Sequence, residues 1–381
     1  MRCKLSEIAL VSAGQGAPQG DSNYCESGTP FVKAGNLQEL SNGASIDAIQ
    51  KVSNEVAATH GLKLQRKGSV LFAKSGMSCL KGYVYVLPED AYIVSHLACV
   101  TPMGVDSDYL CYYFRFHRPN KLVKDAAYPS ISLADIGCLE IEIPEGNEVT
   151  QIVDALKRVE SIINLHCQQL TALDTLIKAR FVELFGDSKV NPYGFNKVRL
   201  KDSCEIVTGN TPSRTVDDYY GDYIEWIKTD NIMAEMMYPT RATESLSEVG
   251  LKVGRYVEKG AILMACIAGS VASIGKVCIT DRQVAFNQQI NAIVPKKYNA
   301  LFLYVLLQTS KDYLVEELNM ALKGILSKSK LGEKTFILPP MDQQNDFAAF
   351  VAQIDKSKAV VQKALDEAQT LFDSLMQQYF G

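Results

Sequence analysis

The sequence predicts an α+β chain made of two copies of one unit, each a curled β-sheet domain with a few helices followed by one long helix. Three observations carry that prediction. The chain keeps register with itself at an offset of about 195 residues, short β-type runs fill the front of each copy, and a proline-free heptad pattern closes each copy.

The duplication comes first, because a missed repeat miscalls a whole fold. Lys4-Leu5-Ser6-Glu7 falls on Arg199-Leu200-Lys201-Asp202, Gly14 on Gly209, and Phe31 to Leu37 on Trp226 to Ile232. The offset slips to 193 where Gly76 meets Gly269, Gly82 meets Gly275 and Pro102 meets Pro295, then returns to 195 for Pro144 on Pro339 and Phe185 on Phe380. Five segments follow: a first domain over 1–145, a helix over 146–186, a linker over 187–195, a second domain over 196–340 and a second helix over 341–381.

Within the domains, Gly68 to Ala73, Tyr83 to Val86, Ala261 to Ala265 and Asn291 to Val294 read as strands, separated by Gly, Asn, Asp and Pro clusters. A short helix is predicted over Asp108 to Phe116 and its counterpart over Leu301 to Thr309. In the first long helix, Ile152, Leu156, Val159, Ile163, Leu170, Leu173 and Ile177 fall at alternating spacings of four and three, with His166 the one polar member of the seam. The second keeps the same register through Phe347, Val351, Ile354, Leu365 and Phe372, with Lys358 as its exception. Two such seams in one chain predict an antiparallel coiled coil. A helix of that length is a rod of roughly 57 Å.

Composition narrows the class. Of 381 residues, 47% are hydrophobic and 22% charged, which excludes disorder and fibres. No stretch approaches the roughly 18 apolar residues that span a bilayer, and no apolar leader follows Met1, so a cytoplasmic protein is expected. The ten cysteines form no C-x-x-C pair, which suits buried thiols rather than disulfides or zinc. The net charge of −4 gives no sign of nucleic-acid binding, although the second domain carries 18 basic against 16 acidic residues while the second helix carries 3 against 6. A chain so charged would hold DNA weakly without partners that add positive surface.

Catalytic signatures fail one by one. Gly269 to Val277 has five residues between its glycines and no Ser or Thr after Lys276, so it is no phosphate-binding loop. Asn191-Pro192-Tyr193-Gly194 lacks the second proline of a base-flipping methyltransferase box. Histidines 60, 96, 117 and 166 lack metal-type spacing, so neither a metal site nor a cofactor is expected in this chain. Trp226 matches Phe31 of the other copy and is assigned to the core.

What recurs instead is a set of polar turns. Ser12 to Gly16 matches Thr208 to Pro212, Lys33 to Asn36 matches Lys228 to Asn231, and Val94-Ser95-His96 matches Asn287-Gln288-Gln289. Amide side chains and lysine suit base edges in the major groove, and backbone amides in glycine turns can approach phosphates. The candidate DNA contacts are therefore Gly14, Gln15, Lys33, Asn36, Lys74 and His96 in the first copy. In the second they are Gly209, Asn210, Thr211, Lys228, Asn231, Ser270, Gln288 and Gln289.

Taken together, the turn Val207 to Pro212, the run Ile224 to Ile232, the loop Gly269 to Val277, the triplet Asn287 to Gln289 and the helix start Leu338 to Gln344 are similar to the specificity subunit of type I restriction-modification enzymes. The resemblance covers essentially the whole chain. It implies two pseudo-symmetric target-recognition-type domains, each reading one half of a bipartite double-stranded DNA target, with the helices setting the unread spacer. It also implies that two modification subunits dock on the helices and that restriction subunits join through the complex. S-adenosylmethionine and ATP are implied only for those partners. The alternatives are a self-contained DNA-modifying enzyme with an unfamiliar active site, and a scaffold with no DNA role.

Overall fold

A computed structural model describes residues 2–233, 236–267, 273–316 and 324–381. Contacts divide the chain into two compact units, Met1–Leu165 with Ala364–Gly381, and His166–Lys363. Each unit therefore holds one sheet domain and a portion of both long helices.

In the first unit a four-stranded antiparallel sheet runs in the order Ala9–Ala13, Leu97–Pro102, Val70–Ala73, Val84–Val86. All four residues of Val70–Ala73 are buried, so the strand shows a continuous apolar run rather than the alternation of a half-solvated sheet. One face is covered by the helix Ser107–His117, whose Phe114 ring lies 4.9 Å from that of Phe72. Asp106 begins this helix by accepting hydrogen bonds from the amides of Asp108 and Tyr109. A second sheet sets Thr29–Val32 between Lys51–Val52, antiparallel, and Tyr92–Ile93, parallel.

The second unit repeats this plan. Its antiparallel sheet runs Cys204–Thr208, Ile290–Pro295, Ile262–Ala265, Val277–Ile279, and Asn299 caps the helix Ala300–Thr309. In its other sheet Ile224–Ile227 again lies parallel to a later strand, Val284–Phe286. The predicted strands and short helices thus appear in both copies. Six cysteines, Cys79, Cys99, Cys111, Cys204, Cys266 and Cys278, are buried, and burial pushes the Cys266 thiol up to about 12.

The long helices span Glu148–Phe185 and Met341–Phe380. Ile152, Leu156, Val159, Ile177, Phe347, Val351 and Phe372 are buried, and Ile163, Leu170, Leu173, Ile354 and Leu365 are half-buried. The heptad seam is thus the covered face of each helix. In the first unit Phe372, Met376 and Phe380 share one core with Ile152, Val153 and Leu156, and the Phe380 ring lies 5.2 Å from that of Tyr109. In the second unit the helix segments run antiparallel, with Phe185 5.6 Å from Phe347 and Lys358 donating to Asp174 at 2.6 Å. That ion pair explains the one lysine in the seam: its ammonium meets a carboxylate from the facing segment.

Phe185 is 1% exposed and surrounded by the rings of Phe181, Phe302 and Phe347. Phe185→Ala is expected to lower stability by about 3 to 5 kcal/mol in urea unfolding, through lost burial and a residual cavity. Val360→Ala, at a position 70% exposed on the second helix, should stay within about 0.5 kcal/mol.

Candidate nucleic-acid interface

Backbone hydrogen bonds gather the recurrent turns at one end of each domain. In the first, the Gln15 amide donates to Ile93 O at 3.1 Å, Ser95 to Gln15 O at 2.7 Å, Val94 to Val32 O at 3.0 Å and Lys74 to His96 O at 2.9 Å. Equivalent bonds in the second run from Asn210 to Phe286 O at 3.2 Å, Asn287 to Ile227 O at 3.0 Å and Ile267 to Gln289 O at 3.2 Å. His96 and Gln289 therefore hold the same place in their domains. Turns far apart in sequence form one surface because the parallel strand pair brings their carbonyl ends together.

The glycines prove to be packing residues. A Cβ on Gly14 would lie 2.0 Å from Ile93 O, and one on Gly209 would lie 2.1 Å from Asn287 O. Only a residue without a side chain permits that approach. Their amides, expected to face phosphates, are already donated to Leu97 O and Ile290 O.

Several amide side chains are likewise engaged in holding the turns. Asn36 Oδ1 accepts from the Lys33 amide at 2.8 Å and Asn231 Oδ1 from the Lys228 amide at 3.0 Å, the same clamp in both copies. Asn231, 8% exposed, also donates to Thr240 Oγ1 and Arg241 O, so it positions Lys228 rather than meeting a base. Gln15 Oε1 accepts from the Lys63 amide and Asn210 Nδ2 donates to Val253 O. Thr211 donates to Gln288. In the first domain His96 is exposed and Lys33 and Lys74 are half-buried; in the second Thr211 and Gln288 are exposed and Lys228 and Gln289 half-buried. Ser270 lies outside the described residues.

Trp226 is buried, as assigned, and its indole N–H donates to Asn210 O at 3.3 Å. Its ring also serves as a platform, with the Lys228 ammonium and the Arg214 guanidinium each 5.2 Å from its centre. Arg214 lies 4.5 Å over Tyr220 as well. Sequence reasoning missed Arg214 and Tyr220, although a tyrosine at 24 in the first copy was a signal that could have found the platform.

Beside this platform Glu225, on the strand that leads into the Lys228 turn, binds Arg282 and the Arg241–Ala242 segment. Arg282 donates to both of its oxygens at 2.9 and 2.7 Å, Arg241 donates at 2.7 Å and the Ala242 amide at 2.9 Å. The Arg282 guanidinium holds the Glu225 carboxyl down to about 2. Among the described residues no group of His, Cys, Asp and Glu could hold a metal ion, and no helix is long and apolar enough to cross a membrane.

A family model for the type I restriction modification DNA specificity domain matches residues 1–175 and again 192–369. The HindI specificity subunit, of a type I restriction enzyme from Haemophilus influenzae, is 29% identical over 173 residues, 40% of this chain and 37% of that protein. The MjaIX specificity subunit from Methanocaldococcus jannaschii is 27% identical over 188 residues, 47% of this chain and 43% of that protein. Each match thus spans less than half of the relative. The S subunit of a type I restriction-modification system from M. genitalium shares the fold over 100% of this chain and 96% of its own, with a TM-score of 0.61 at 13% identity. A chain from a study of complex assembly and conformational transition in the type I R-M system does so with a TM-score of 0.57 at 17% identity, over 100% of this chain and 97% of that one.

Removing the Glu225 charge should loosen this end of the second domain. Glu225→Gln is expected to cost about 1 to 3 kcal/mol at neutral pH in urea unfolding. Because the folded carboxyl sits below its ordinary value of 4.5, the difference from wild type should be full above that pH and close as pH falls toward about 2. A difference that does not change with pH over that range would show that the carboxylate does not carry the effect.

Proposed function

This chain belongs to the type I restriction-modification DNA specificity family, and from that membership we propose that it is a non-catalytic subunit that reads a bipartite double-stranded DNA target. The observation that carries the reading is the paired surface: each repeated domain gathers its polar turns at one end of its sheets. Lys33, Lys74 and His96 stand there in the first domain, and Thr211, Lys228, Gln288 and Gln289 in the second. Lysine and glutamine can meet purine edges in the major groove, while the clamps at Asn36 and Asn231 fix the direction from which the lysines reach.

The long helices serve as the spacer. At roughly 1.5 Å per residue they measure about 57 to 60 Å, which caps the separation of the two half-sites near about 17 base pairs at ~3.4 Å each. Their outward surface supports docking of two modification subunits, since the first helix exposes Ile162, Leu165 and Leu176 and a shallow groove lined by Thr171, Ala172 and Thr175. Restriction subunits would join through the same complex. S-adenosylmethionine and ATP would be bound by those partners and not by this chain, and the assembly would work in the cytoplasm.

Methylated-adenine sequencing in cells carrying the complex tests the reading. Exchanging either domain for a foreign one should change one half of the methylated motif, and a motif unaltered after both exchanges would refute it. Lys228→Ala or Gln289→Ala should relax one half-site by about 1 to 3 kcal/mol. Asn231→Ala should do the same by releasing the Lys228 turn. Leu170→Glu, which places a charge in the helical seam, should impair both half-sites together. Loss at only one half would contradict the spacer role.

A further inference from the structure

The two interfaces share a scaffold and differ at one charge. In each domain an aromatic strand residue, Phe31 or Trp226, donates its amide to the carbonyl of a residue on the neighbouring strand segment, Gln50 at 2.9 Å or Glu244 at 3.0 Å. Those two residues are structural equivalents. Each meets the readout lysine of its own domain: Lys33 Nζ donates to Gln50 Oε1 at 2.6 Å, and Lys228 pairs with Glu244. The tyrosines correspond too, since Tyr24 donates to Pro18 O at 3.1 Å and Tyr220 to Pro212 O at 2.7 Å. Over Tyr24 lies Lys33, at 4.3 Å, whereas over Tyr220 lies Arg214.

Among the described residues, two cations thus meet a carboxylate at this place in the second domain, where the first domain has one lysine on an amide. Arg214 Nη2 sits 2.6 Å from Glu244 Oε2, and Lys228 pairs with the other oxygen of the same carboxylate. Lys228 beside it holds the Glu244 carboxyl below its usual range, so the carboxylate is ionised at neutral pH. Arg214 keeps 54% of its side chain exposed and stands at the rim of the same surface.

We propose that Glu244 is a specificity-determining residue of the second domain, an internal counterion that holds Lys228 and Arg214 away from DNA phosphates until a cognate half-site offers them better partners. Phosphate contacts carry affinity without sequence information. Neutralising two cations in the unbound domain suppresses that indiscriminate share and leaves base contacts to decide. Gln50 holds Lys33 by a hydrogen bond alone, so the first domain keeps its lysine charge toward DNA. The inference rests on the proposed reading of these turns as a DNA surface.

The test uses the full chain with random-sequence duplex in fluorescence anisotropy across a salt series, together with methylated-adenine sequencing of cells carrying the same variants. Glu244→Gln should raise non-specific affinity roughly three- to tenfold and steepen the salt slope by about one to two phosphate contacts. It should also broaden only the half-motif that Lys228→Ala alters. In Arg214→Gln the further change to Glu244→Gln should have a smaller effect, since one cation remains to be released. Gln50→Glu, in the other domain, should lower non-specific affinity and so tests the idea without touching the second fold. Unchanged affinity and slope in both Glu244→Gln and Gln50→Glu would overturn the inference. If Lys228→Ala itself leaves the motif unaltered, the DNA reading of this surface fails instead.

Discussion

Each domain depends on one close approach between backbones. The strand that ends at Ala13 or Thr208 turns at a glycine whose Cα lies against the carbonyls at the end of the strand Tyr92–Ile93 or Val284–Phe286. With a side chain there, the turn would be pushed off and the hydrogen bonds that tie Gln15 to Ile93 and Asn210 to Phe286 would be lost. Everything polar at this end is built outward from that contact. The parallel pairing of Phe31–Val32 with Tyr92–Ile93 carries the lysine turn to the same place, and so does that of Trp226–Ile227 with Ala285–Phe286.

From this follows a division of labour among similar residues. Asn36 and Asn231 both give their Oδ1 to clamping, and Asn231 its Nδ2 as well, while the lysines they clamp project from a fixed backbone. Leaving a buried amide without partners would be costly, and Asn231 is bonded through both of its side-chain atoms. The Glu225–Arg282 pair has no counterpart in the first domain, where Pro30 stands one residue before Phe31. The second domain thus stiffens the approach to its lysine turn by charge.

The long helices illustrate how a weak seam becomes specific through its ends. Half-buried Leu170, Leu173 and Leu365 contribute modest burial, whereas Phe185 and Phe380, the repeat-related last residues of the two helices, enter aromatic clusters of a sheet domain. Aromatic pairs add geometric preference to area. Docking of helix ends, more than the seam itself, therefore sets how each helix is anchored, and Asp174 with Lys358 adds a register mark in the second unit.

Periodicity and self-similarity are local properties, so the sequence by itself determined the duplication, the strands, the short helices read at 108–116 and 301–309, the seam and the set of turns that gather at the interface. Which atoms of those turns remain available was decided only in the tertiary structure. Gly14, Gly209, Asn36 and Asn231 read in sequence like ligand contacts because turn-formers and DNA readers are the same residue types. Gln50 and Glu244 carried no motif, because what makes them neighbours of a lysine is a strand pairing, and Arg214 is placed by the rings of Tyr220 and Trp226. The reason is physical: a side chain's hydrogen-bonding capacity is visible in sequence, but whether a backbone partner has already taken it depends on chain segments brought together only by folding.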